Sequence, residues 1–188
     1  MHMLIAFIVY AQNEDEAYTH AEKLVNELCS VDIFDYYLSL DDKDAGWSLP
    51  KVMRADSPEG KRLIDQLMNA TWRDFKEHIT ILRDLLEVFS DEEIFEEKPS
   101  EIASIALSIK NDGRLKYRLS EVSYFFHACS RYACSHASYL FNHDGFPIMN
   151  RKALNSALSK WRDLFEKQGE ENPFADLDVY VVPFDVHY

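Results

Sequence analysis

MLIAFIVYA (residues 3–11), followed at once by QNEDEA (12–17), decides the fold class. A continuous apolar run rich in β-branched and aromatic residues predicts a strand buried on both faces. The run falls far short of the ~20 apolar residues that a membrane span needs. It lacks a cationic leader and a small-residue cleavage site, so it is read as a strand rather than a signal peptide. Asn13 then caps a helix, with Glu16 three residues on as the partner of a capping box and Asp15 in the positive first turn. Ala17, Ala21, Leu24 and Leu28 recur at helical spacing and mark the inner face of that helix.

Working outward, a second strand is expected at about 33–40. There Phe34, Tyr36, Leu38 and Leu40 alternate with Asp35, Tyr37 and Ser39, predicting one buried face and one wet face. The turn DDKDAG (41–46) leads to a partner strand near 47–54, which Pro50 would place at an edge. Ser57 and Pro58 open a long helix reaching about Phe89. Its stripe of Met68, Trp72, Phe75, Ile79, Leu82, Leu86 and Phe89 is spaced four, three, four, three, four, three, which is a heptad seam. At ~1.5 Å per residue such a helix is nearly 50 Å long. A short helix at 100–110 with Ile102, Ile105 and Ile109 has too few turns to cover the whole seam. The seam therefore predicts a homodimer formed through this helix.

Residues 120–142 fit helical spacing through Val122, Phe125, Cys129, Ala133 and Ala137. They also fit a hairpin in which Tyr124, Phe126 and Ala128 match Ala137, Tyr139 and Phe141 on one apolar face, and this is the expectation taken forward. HDGFP (143–147) is a turn. A helix from about Arg151 to Gln168 carries Leu154, Leu158, Trp161 and Phe165, and VYVVPFDVHY (179–188) is a final strand. The order predicts an α+β fold, with an antiparallel, ferredoxin-like sheet covered by helices. One domain is expected over 1–188, with a long helical hairpin inserted at about 57–110.

The 33 acidic side chains against 20 basic ones give a net charge of −13, which disfavours wholesale binding to nucleic acid or anionic membranes. The basic excess centres on Lys110, Arg114, Lys116 and Arg118, a candidate anion or nucleotide site that also reads as a solvated loop. Three cysteines in a chain with ample apolar residues argue against a disulfide scaffold and for a reducing cytoplasm.

Two constellations could carry chemistry. HACSRYACSH (127–136) is a nearly symmetric His-x-Cys…Cys-x-His. Folded as a hairpin it would face Cys129 to Cys134 and His127 to His136, two thiolates and two imidazoles suited to tetrahedral zinc. Cross-strand neighbours only ~5 Å apart would crowd such a site. On a helix the four would scatter, and the same residues also read as small core cysteines with hydrogen-bonded histidines. In the last strand Tyr180, Val182, Phe184 and Val186 take one face, so Asp185 and His187 share the other as a candidate acid/base or ligand pair. There is no Gly-rich phosphate loop, no G-x-S-x-G and no H-E-x-x-H.

FDYY (34–37), VMRADSPEG (52–60) and VVPFDVHY (181–188) together resemble a pattern found in short, uncharacterised archaeal proteins. The resemblance implies a prokaryotic, archaeal, cytoplasmic origin and assigns no residue a role. The reading that follows is a non-catalytic homodimeric binding or regulatory module with no cofactor. The alternative is a zinc-binding protein or metal-dependent enzyme using the His/Cys hairpin.

Overall fold

β1 (His2–Ala11) forms where the apolar run predicts it, with Met3 through Val9 buried. The computed structural model describes residues 2–88, 139–166 and 177–187, together with Ser90 and Glu92. α1 (Glu14–Ser30) is capped by Asn13, whose side chain accepts from the Glu16 N–H at 2.9 Å. Glu16 reaches back to the N–H of Gln12 at 3.1 Å, one residue earlier than the capping-box pattern. At the other end Asp32 adopts φ 58, its N–H bonds the Cys29 carbonyl, and the Ile33 N–H bonds the Leu28 carbonyl. This is a Schellman motif with an aspartate where glycine is usual, and Leu28 and Ile33 on either side of it both pack against the core.

Among the described residues the sheet runs β2 (Tyr36–Ser39), β5 (Asp178–His187), β1, β4 (Leu140–Phe141), with β3 (Met53–Arg54) also paired to β5. β1 and β5 are antiparallel over their full length, from His2 opposite His187 to Ala11 opposite Asp178. β4 runs parallel to β1, with Ala6 opposite Leu140 and Phe7 opposite Phe141. The sheet is therefore mixed, which corrects the antiparallel expectation. A parallel neighbour needs a long crossover, and the chain between β3 and β4 supplies it.

α2 (Pro58–Val88) begins where Ser57–Pro58 predicts, and Ser57 Oγ accepts from the Gly60 N–H at 3.0 Å. α3 (Arg151–Glu166) is capped by Asn150, whose Oδ1 accepts from the Ala153 N–H at 2.9 Å. Two apolar layers flank the sheet. On one face Ala17, Ala21 and Val25 of α1 pack with Ile5, Phe7, Val182 and Phe184. On the other, Leu63, Leu67 and Met68 of α2 and Leu154 and Ala157 of α3 pack with Leu4, Ala6, Ile8 and Val181. Helices thus cover both faces, not one face as a ferredoxin-like sheet would have them.

β2 and β3 do not pair with each other as the expected hairpin would. They lie end to end along β5, β2 against 184–187 and β3 against 180–181. Pro183 falls between them, and having no N–H to donate it forfeits no ladder bond there. The expected alternation at 33–40 is also corrected. Phe34 packs on the α1 face and Leu40 on the other, while Tyr37 is packed and Tyr36 is 46% exposed. Phe34 precedes the four-residue strand, so the two-residue period does not reach it.

The chain divides into two compact units, Met1–Trp72 with Ser135–Tyr188, and Arg73–Cys134. The sheet and both apolar layers belong to the first. Of the second, the described residues are the continuation of α2 to Val88, Ser90 and Glu92. The expected helix at 100–110 and the first arm of the expected hairpin lie outside the described residues. Among the described residues no helix is long and apolar enough to cross a membrane.

Candidate functional site

Side-chain chemistry gathers at both ends of the β1–β5 pair. At the first end lies Asp185, whose side chain is wholly buried on the α2 face. The two-residue period of β5 puts it there, opposite Leu4 on β1 and Leu38 on β2. Its carboxylate accepts from the Gly46 N–H at 2.7 Å and from His2 Nδ1 at 3.0 and 3.1 Å. The first bond ties the loop between β2 and β3 to the central strand. The second fixes the His2 ring, which is itself 48% exposed. A carboxylate behind Nδ1 is the arrangement that orients an imidazole for work through its other nitrogen.

His187 shares that face, as expected, but the carboxylate is bonded to His2. The His187 ring stacks on Tyr36 at 4.8 Å, meets His2 edge-on at 5.4 Å, and its Nδ1 lies 3.6 Å from Asp35 Oδ2. Sequence reasoning missed His2. A histidine at the edge of an apolar run carries no local mark of a partner 183 residues away.

The opposite end is the carboxyl end of β1 and β4. These are parallel neighbours, and the helices that follow them leave to opposite faces, α1 to one and α3 to the other. Open α/β sheets place ligands at such a switch point. Here His143, in the turn after β4, is half-buried, and its Nδ1 accepts from the Tyr10 N–H at 3.2 Å. Its carbonyl accepts from His20 Nε2 of α1 at 2.8 Å, and the two imidazoles stack with centroids 4.1 Å apart and planes within 10°. The Tyr10 hydroxyl donates to the Ala157 carbonyl of α3. β1, α1, α3 and the turn are thereby joined through four residues.

Burial lowers the readiness of the His143 ring to take a proton, the neighbouring His20 adds to that, and Asp144 opposes it. Burial, then the Asp144 charge, pushes the Tyr10 hydroxyl up to about 12. The turn holds itself together. Asn142 Oδ1 accepts from the N–H groups of Asp144 and Phe146, and Gly145 supplies a φ of 79. The sequence marked HDGFP as a turn, but not the role of its first residue.

The other candidates are located as follows. His127, Cys129, Cys134 and His136 lie outside the described residues, as do Lys110, Arg114, Lys116 and Arg118. Among the described residues no group of three or more His, Cys, Asp or Glu side chains is placed to hold a metal ion. Of the seam, Met68 is buried in the core beneath the sheet, Trp72 is 61% exposed and Phe75 is half-buried. Phe89 lies outside the described residues.

The model of a family described as "Domain of unknown function (DUF7995)" matches residues 1–111, and the chain belongs to that family. No curated protein and no solved structure matches it. The matched stretch holds β1, α1, β2, β3 and α2. The central strand β5, with Asp185, and the His143 turn lie beyond it.

Proposed function

We propose that this member of the DUF7995 family is a non-catalytic binding or regulatory module that works as a homodimer through α2, in a reducing cytoplasm. The observation that carries the reading is the division of labour along α2. Leu63, Leu67 and Met68 are spent on the chain's own sheet, yet one turn further on Trp72 leaves 61% of its surface exposed. The helix continues to Val88, and the heptad spacing continues with it through Ile79, Leu82 and Leu86. A large aromatic on an amphipathic helix of 31 residues suits a helix–helix contact between identical chains.

Sedimentation or light scattering tests this. The expected mass is twice the 22.0 kDa of the chain. Trp72→Glu, a substitution at an exposed position, is expected to weaken dimerisation by about 2 kcal/mol, roughly thirtyfold. Making Phe75, Ile79 and Leu82 polar is expected to abolish it. A single-chain mass for the unaltered protein at all concentrations rejects the proposal.

A further inference from the structure

His143 is held twice, and only one of the two bonds responds to a proton. The backbone carbonyl that accepts from His20 is indifferent to pH, whereas Nδ1, which accepts from the Tyr10 N–H, is the atom that a proton would occupy. An imidazolium has donors at both nitrogens and no acceptor. Protonation would set an N–H against the Tyr10 N–H and place a cation flat against the His20 ring 4.1 Å away. The ring would have to leave.

The groups facing His143 are Tyr10 from β1, His20 from α1 and Asp144 from its own turn. α3 contributes the Ala157 carbonyl, already taken by the Tyr10 hydroxyl. Of these charges only Asp144 favours the imidazolium, and it is outweighed by burial and by His20. What moves is also defined. Asn142 and Gly145 keep the turn folded by bonds internal to it, and His20 keeps its bond to the His143 carbonyl, so the ring can leave without unfolding the turn.

We propose that the stacked His20–His143 pair is a proton-operated latch, holding the His143 ring on the Tyr10 N–H at the carboxyl ends of β1 and β4 in neutral solution and releasing the ring in mild acid. The latch sits at the switch point of the sheet, where release of the ring would expose the β1 end. It is independent of the α2 dimer and does not require it.

Amide hydrogen exchange and ¹⁵N NMR on the full chain test the latch, comparing about pH 7.5 with about pH 5.5, on either side of the ordinary histidine range. At the higher pH His143 is expected as the Nε2–H tautomer with the Tyr10 amide protected. At the lower pH, after correction for intrinsic exchange, Tyr10 protection is expected to fall by up to about tenfold, the factor carried by one unit of pH. His143→Asn, whose side-chain oxygen can stand where Nδ1 stands but does not titrate, is expected to keep Tyr10 protected at both pH values. His20→Gln keeps a donor for the His143 carbonyl but removes the second cation, and is expected to move release to higher pH. The latch is refuted if wild-type Tyr10 protection is the same at both pH values, or if the Nδ1–H tautomer dominates near neutrality. Equal loss of protection with pH in His143→Asn and wild type refutes it as well.

Discussion

Replacing Asp185 by alanine removes the acceptor that joins the β2–β3 loop to the centre of the sheet. Two donors lose their partner, the Gly46 N–H at 2.7 Å and His2 Nδ1 at 3.0 Å. A hydrogen bond to a charged group contributes about 1.5–3 kcal/mol, and the Gly46 bond is short and made to a fully buried carboxylate, so it is assigned about 2. His2 is 48% exposed and water screens it, which holds its share to about 0.5 kcal/mol. The void left by the carboxylate adds about 1 kcal/mol. Against these stands the burial cost of the charge itself, which the alanine no longer bears, an offset of roughly 1–2 kcal/mol. The balance is a loss of about 2 kcal/mol, and for a chain of this size a fall in Tm of roughly 4–8 °C. Thermal unfolding by circular dichroism measures it. Hydrogen exchange supplies the local reading, because the Gly46 amide should lose protection while the amides of β1 keep theirs. His2→Ala should cost far less than Asp185→Ala. Equal costs for the two, or a Tm for Asp185→Ala within about 1 °C of wild type, would show that the buried carboxylate does not anchor the loop.

Gly60→Ala should destabilise despite alanine's better helix propensity, worth about 1 kcal/mol. A Cβ there would press into the backbone carbonyl of Arg54, which already accepts from Ser57, so the β3–α2 turn must shift at a cost of about 2–3 kcal/mol. A variant as stable as wild type in urea unfolding contradicts this. Tyr10 should ionise late in an alkaline titration followed by tyrosinate absorbance, near 12, and the late component should vanish in Tyr10→Phe. Since its folded pKa is raised above the ordinary 10.0, its contribution to stability is full below pH 10 and is lost as pH rises towards 12. No tyrosine ionising later than the rest would count against the buried geometry at the end of β1.

The strands and helices with strong local signals were legible. β1, α1 with its Asn13 cap, the start of α2 and the face assignment in β5 all follow from periodicity and capping chemistry. Pairing was not legible, because β1 and β5 meet from opposite ends of the chain and nothing local records that His2 will lie opposite His187. The same distance hid the candidate site. Period two placed Asp185 and His187 on one face, but the partner that bonds Asp185 comes from β1. His143 looked like an ordinary turn residue until β4 ran parallel to β1 and carried it to the end of that strand. Along α2 the heptad reading joined Met68 to Trp72, whereas the core takes Leu63, Ile64, Leu67, Met68 and Thr71. An apolar stripe wider than one packing face leaves the choice of inward residues to the sheet beneath it.

β1 makes the two ends of the sheet comparable, since each is tied through it to a different kind of acceptor. Asp185 accepts from His2 at one end, and His143 accepts from Tyr10 at the other. An imidazole's ordinary pKa lies close to neutral pH, and burial moves that of His143 lower. A fall in pH therefore acts on the His143 end of β1. Between the two ends Ile5, Phe7, Ile8 and Val9 are fully buried against both helical layers, and Ala17, Ala21 and Val25 keep α1 seated whether or not His20 is engaged. Loss of the His143 ring bond thus has a short reach: it frees the ring and the end of the strand, and the core beneath has no alternative packing to adopt. That confinement suits a local signal, given at the carboxyl end of β1 without disturbing the core.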